Sequence, residues 1–92
     1  MDIIAVFTDN IPSKEEMIFG ELYISLKYST ASHLCACGCG TLTVTPIGNK
    51  ADPDRHEWDA YVNEGAITFD PSIENPGCGA HYHIEKSKIR FC

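Results

Sequence analysis

His33-Leu34-Cys35-Ala36-Cys37-Gly38-Cys39-Gly40 sets three thiols within five residues, and Cys78-Gly79-Ala80-His81 returns a fourth thiol together with a histidine. Thiolates two residues apart converge on one ion only where the backbone between them turns tightly, and Gly38 and Gly40 supply the dihedral freedom for such a turn. Cysteine and histidine ligands at about 2.0 to 2.3 Å are what a tetrahedral zinc site requires. The chain between the clusters, residues 40 to 77, then forms an excursion that brings the second half-site back to the first.

The two clusters offer Cys35, Cys37, Cys39, Cys78 and His81 for what are usually about four positions around the ion. Cys37, Cys78 and His81 lead, Cys35 and Cys39 compete for or share the fourth place, and His33 and His83 stand in reserve. Cysteines that were only small buried hydrophobes would need neither this spacing nor the flanking glycines. A disulfide framework fits poorly, because residues one apart are badly placed to bridge each other and nothing marks the chain as secreted.

Ninety-two residues read as one domain, 1–92, and a chain of this size buries only somewhat over 60% of its unfolded surface. Its core is small, so a metal that binds the folded state alone would contribute several kcal/mol. Thirteen acidic residues against seven basic ones give a net charge of −6, which argues against nucleic acid as a partner. The stretch Met1-Asp2-Ile3-Ile4-Ala5-Val6-Phe7 has an early acid, no basic start and too short an apolar run for a signal or a membrane span. The expectation is a soluble cytoplasmic protein, in a compartment where clustered thiols are ligands more often than disulfides.

Ile3 to Phe7 reads as a first strand, ended by turn chemistry at Thr8 to Pro12. Ser13 with Glu16 carries the signature of a capping box, although Gly20 leaves room for no more than a turn of helix. Glu21 to Tyr28 alternates, with Leu22, Ile24, Leu26 and Tyr28 on one face, and predicts a half-buried strand leading straight into the first cysteine cluster. Thr41 to Thr45 reads as the strand leaving it, stopped by Pro46, so the first knuckle sits at the tip of a hairpin. Residues 47 to 57 read as an exposed loop, with His56 and Glu57 solvated at its end, and Trp58 as a core anchor. Strands at Trp58–Val62 and Ala66–Phe69 flank a three-residue connection, Asn63-Glu64-Gly65. Asp70 to Gly77 is turn-rich, its two prolines pre-setting the approach to Cys78. A last hairpin closes the chain around Lys86-Ser87, and Cys92 stays outside both clusters. About seven short strands with hardly any helix place the chain in the all-β class. The expected form is a small zinc-ribbon-like or Rieske-like antiparallel β domain with two metal-binding knuckles.

Several enzyme signatures are absent. His83-Ile84-Glu85 lacks the downstream Pro-Cys-x-x-Cys of zinc deaminases, and His56-Glu57 lacks the second histidine of a His-Glu-x-x-His metalloprotease. Thiols committed to a metal are not free nucleophiles. With no complete catalytic motif, the residues predict a non-enzymatic module. Cys35-x-Cys37 followed by Cys78-x-x-His81 also resembles the two-loop layout of Rieske domains with the first histidine replaced. A two-iron cluster serving electron transfer is therefore the alternative to zinc.

Gly20 to Ser25, the stretch His33 to Gly40, Trp58, the run Ile67-Thr68-Phe69-Asp70-Pro71-Ser72-Ile73, and Cys78 to Ile84 together resemble a bacterial domain-of-unknown-function family of small Cys/His metal-binding proteins. Members of that family are often encoded beside ubiquitin-like proteins, an activating-enzyme-like adenylyltransferase and a conjugating-enzyme-like partner, in operons suspected of antiphage defence. The resemblance implies a metal-stabilised accessory or adaptor of a ubiquitin-like conjugation pathway, with an E1/E2-like enzyme or a ubiquitin-like protein as partner. The sequence departs from the family pattern at His83, where an aromatic is expected, and at Lys86-Ser87, where a glycine turn is expected. The combined expectation is a zinc-binding protein-interaction module without catalytic residues.

Overall fold

The computed structural model describes residues 1–48, 58–75 and 77–92. Two four-stranded sheets carry the chain. The first is β1 (Ile4–Phe7), β2 (Glu21–Ser25), β3 (Thr30–Leu34) and β4 (Leu42–Pro46), and the second is β5 (Asp59–Asn63), β6 (Ala66–Asn75), β7 (Ala80–Glu85) and β8 (Lys88–Phe91), each in sequence order. A single turn of 3-10 helix at Lys14–Glu16 is the only helical element among the described residues, and Ser13 makes no side-chain cap to it.

The sheets meet along both lateral edges. Asp2 bridges Lys88, with Ile3 N–H donating to Ser87 O at 2.8 Å, and Ile47 bridges Trp58, whose N–H donates to Pro46 O at 2.9 Å. Bridging of this kind satisfies backbone groups that an open edge would leave to other chains. Between the sheets lies one apolar cluster, built from Leu22, Ile24 and Ala31 on one side and Ile67, Phe69, Ile73, Tyr82 and Ile84 on the other. Each leucine, isoleucine or phenylalanine among them contributes about 1.5 to 3 kcal/mol on full burial.

The all-β class holds, with differences in detail. β1 runs parallel to β2, where an antiparallel arrangement was expected throughout. The alternating stretch from Glu21 does not reach the cysteines: β2 stops at Ser25, residues 26–29 turn, and a separate strand β3 leads into the cluster. Leu26 and Tyr28 continue the alternation but are exposed. Both faces of β2 are covered, because the segment after β1 crosses the outer side, where Ser25 Oγ donates to Asp9 O at 2.9 Å and Tyr23 Oη accepts from Ile18 N–H at 3.0 Å. In β4 the threonines face inward, Thr43 and Thr45 buried while Leu42 and Val44 are exposed.

The turn-rich reading of Asp70 to Gly77 is corrected as well, since β6 continues through it to Asn75. Pro71 is accommodated by a bulge. Phe69 pairs with Ile84 and Ile73 with Tyr82, so residues 70–72 face His83 alone. A proline lacks the N–H for a regular ladder, and bulges are where strands absorb one. The connection between β5 and β6 has two residues rather than three, with Glu64 and Gly65 both at positive φ and Asn63 paired with Ala66. The expected exposed loop at 47–57 begins instead with a half-buried Ile47 that bridges Trp58, and its remainder from 49 to 57, with His56 and Glu57, lies outside the described residues. Trp58 is half-buried against the core, and its Nε1–H donates to Ser72 O at 3.3 Å.

Candidate functional site

The β3–β4 hairpin carries the first knuckle at its tip, as its glycines require: Leu34 pairs with Leu42, and Gly38 and Gly40 take φ of 90° and 81°. The Cys35 and Gly38 amides tie the loop, donating to Thr41 O at 2.9 Å and to Cys35 O at 3.0 Å. The second knuckle is the turn between β6 and β7. There Asn75 O accepts from Cys78 N–H at 3.3 Å and Gly79 N–H at 2.8 Å, and Asn75 Nδ2 donates to Thr43 Oγ1 at 3.1 Å. That last bond is buried, and it locks the two knuckles to each other.

Together these turns bring Cys35, Cys37, Cys39 and Cys78 into one group whose sulfurs all lie within 4.8 Å of one another. Cys35 Sγ lies 3.4 Å from Cys37 Sγ and 3.6 Å from Cys78 Sγ, and Cys37 to Cys78 is also 3.6 Å. Four sulfurs about 2.3 Å from a tetrahedral ion stand about 3.8 Å apart, so the donor set fits a single metal ion. As free thiols Cys37 and Cys39 hold their protons unequally. A hydrogen bond with Cys39 pushes Cys37 up to about 12, while Thr41, through its hydroxyl and then its amide, brings Cys39 down to about 6. Cys39 is thereby the readier thiolate, and a metal would displace the proton held by Cys37.

Behind Cys35 lies a buried polar network. His33 Nε2 is 2.7 Å from Tyr82 Oη, which also accepts from Ala36 N–H at 3.4 Å, and His33 Nδ1 has no partner among the described residues. Burial takes His33 down to about 4 and pushes the Tyr82 phenol upward, so both are neutral at physiological pH. His33, held in reserve as a ligand, is committed to Tyr82 instead.

His81 lies outside the sulfur group, although its spacing from Cys78 resembles half of a metal site. Cys78 sits on the turn, whereas His81 is already on β7, pointing away from the core on the outer face of the second sheet. Its Nε2 lies 2.7 Å from Ser72 Oγ. Ser72 stands in the β6 bulge, where the extra residues re-aim the side chain, and its carbonyl is held by Trp58. An exposed serine hydroxyl on an imidazole nitrogen is the arrangement that activates a nucleophile. Sequence reading missed this pair because it searched for contiguous catalytic motifs. The available signal was Ser72 after the strand-disrupting Asp70-Pro71, with two outward histidines at alternate positions downstream. His83, the other reserve ligand, lies beside His81 with ring centroids 6.4 Å apart, and its Nδ1 is 4.0 Å from Glu85 Oε1. Cys92 is free and exposed, its N–H donating to His81 O at 2.9 Å.

A family model described as bacterial ubiquitination-like system serine protease (BubE) matches residues 7–92. No curated protein and no solved structure matches the chain. The expectation of a non-enzymatic module is corrected by this match, since the family is one of serine proteases, and the exposed Ser72–His81 pair agrees with that description. The link to a ubiquitin-like system stands.

Proposed function

The chain belongs to the bacterial ubiquitination-like system serine protease (BubE) family, and from that premise we propose that it cleaves polypeptides with Ser72 as nucleophile and His81 as general base. The observation that carries the assignment is the 2.7 Å contact between Ser72 Oγ and His81 Nε2 on an open face. Ser72 Oγ attacks the scissile carbonyl carbon as its proton passes to His81 Nε2. The protonated imidazole then gives that proton to the leaving amine, and water hydrolyses the acyl-enzyme by the reverse sequence of proton transfers. The substrate class that follows from the family is a ubiquitin-like protein, as a precursor or as a conjugate.

Zinc is the metal this reading assigns to Cys35, Cys37, Cys39 and Cys78. Four thiolates would hold the ion with no open position left, as in a structural site. Its compactness favours one ion over a two-iron cluster, which divides its ligands between two metals, and the lack of histidine in the group speaks against the Rieske form of such a cluster. The chemistry supplied by the metal is cross-linking of the two knuckles, and proton transfer belongs to His81.

A fluorophosphonate probe tests the assignment. Attack by Ser72 Oγ on phosphorus with loss of fluoride leaves a covalent adduct, which peptide mass spectrometry should locate on Ser72. The Ser72→Ala chain should take up no label, and His81→Ala should label far more slowly. Labelling that persists in Ser72→Ala would overturn the assignment.

A further inference from the structure

The pair leaves one imidazole nitrogen unaccounted for. Ser72 engages Nε2, and for that nitrogen to accept a proton the ring must carry its own on Nδ1. Among the described residues no hydrogen bond or ion pair reaches His81 Nδ1. Solvent would then hold the tautomer, and solvent holds it poorly.

Glu74 is the Cα partner of His81 across the β6–β7 ladder. Both residues are exposed and lie on the outer face that also carries Ser72. Directly opposed residues on an antiparallel pair have Cβ atoms about 4.5 to 5.5 Å apart, a gap that a glutamate side chain spans. The Glu74 carboxylate has no hydrogen bond or ion pair among the described residues.

The other charged or titratable groups around His81 do not offer what Glu74 offers. Asp70 lies on the far side of Ser72 in the bulge, opposite His83 rather than His81. Glu85 is taken by Arg90 at 2.8 Å, with His83 as its second neighbour. Arg90 is the Cα partner of His83 on β8, and Cys92 approaches His81 through its backbone N–H.

We propose that Glu74 is the positioning carboxylate of the pair. It accepts a hydrogen bond from His81 Nδ1–H, fixes the tautomer with Nε2 bare, and stabilises the imidazolium formed when Ser72 gives up its proton. The proposal rests on the serine-protease reading of Ser72 and His81. Glu74 acts through His81 and touches neither the nucleophile nor the substrate.

The test compares the full-length wild-type chain with Glu74→Ala and Asp70→Asn, using the rate of fluorophosphonate labelling at Ser72 and the nitrogen chemical shifts of the His81 imidazole. Glu74→Ala should slow labelling by at least about tenfold and convert a single Nδ1-protonated tautomer into a mixture, while Asp70→Asn leaves both unchanged. Labelling at the wild-type rate in Glu74→Ala, with unaltered imidazole signals, would overturn the role of Glu74 and leave the Ser72–His81 reading intact. Absence of labelling at Ser72 in the wild-type chain would instead sink the underlying reading.

Discussion

Cys78 and His81 stand three residues apart on one hairpin yet serve two centres: Cys78 Sγ lies 3.6 Å from Cys35 Sγ, and His81 Nε2 lies 2.7 Å from Ser72 Oγ. The turn that delivers the thiol also sets where β7 begins, since Asn75 pairs with Ala80 and accepts from the Cys78 and Gly79 amides. The sulfur group and the Ser72–His81 pair therefore share one hairpin.

Removing the metal should therefore cost both stability and reactivity. Cys78→Ser, or treatment of the native chain with a chelator, is expected to lower the unfolding free energy by several kcal/mol and to slow labelling of Ser72. Elemental analysis of the native chain should find about one ion per chain. Full labelling in a folded, metal-free chain would separate the two centres.

How much of this was legible in the sequence depended on whether local chemistry or tertiary pairing decided each point. The first knuckle was legible because Gly38 and Gly40 and the spacing of Cys35, Cys37 and Cys39 act within one loop. The stop at Ser25 was not, since Leu26 and Tyr28 preserve the alternation while turning out to solvent. The placement of His81 was not legible either. Cys78-x-x-His81 matches a half-site only if the turn continues to the histidine, and pairing of Asn75 with Ala80 puts the end of the turn before it. The Ser72–His81 contact emerges only from the bulge opposite His83, a register that one strand cannot reveal.

Tyr82 should prove more than a core filler. Its hydroxyl is the one side-chain hydrogen-bond partner of His33 among the described residues and also receives the Ala36 amide beside Cys35. Tyr82→Phe would strand a buried imidazole with no hydrogen bond, at an expected cost of about 1 to 3 kcal/mol. Urea unfolding would measure that loss, and a cost near zero would show the network to be dispensable.

The β7–β8 turn gives opposite expectations for adjacent residues. Lys86 and Ser87 both occupy positive φ, at 50° and 60°, a region costly for residues with a Cβ. Lys86→Asn keeps the backbone N–H that donates to Thr68 Oγ1 at 2.9 Å and should stabilise the chain by about 0.5 kcal/mol. Ser87→Gly relieves the same strain but removes the hydroxyl that accepts from Ile67 N–H at 2.9 Å. It should be destabilising by about 1 kcal/mol, and thermal unfolding of the two variants would show whether the signs differ.

Tyr23, along with the buried Tyr82, contributes to the alkaline limit of the fold. Burial, followed by the hydrogen bond to Glu21, raises its phenol above the ordinary value near 10, so the folded state favours the neutral form. A raised folded value means that the contribution is fully present below about pH 10 and is lost as pH climbs through the higher folded value. Ionisation would also abolish donation to Glu21 Oε2 at 2.7 Å and set two negative charges together. The Ile18 N–H would still donate to the phenolate, so the loss arises at the Tyr23–Glu21 contact. Unfolding free energy measured from pH 8 upward should fall above about pH 10 in the native chain. Tyr23→Phe should start lower by about 1 kcal/mol and show a shallower decline, whereas parallel profiles would place the alkaline transition elsewhere in the molecule.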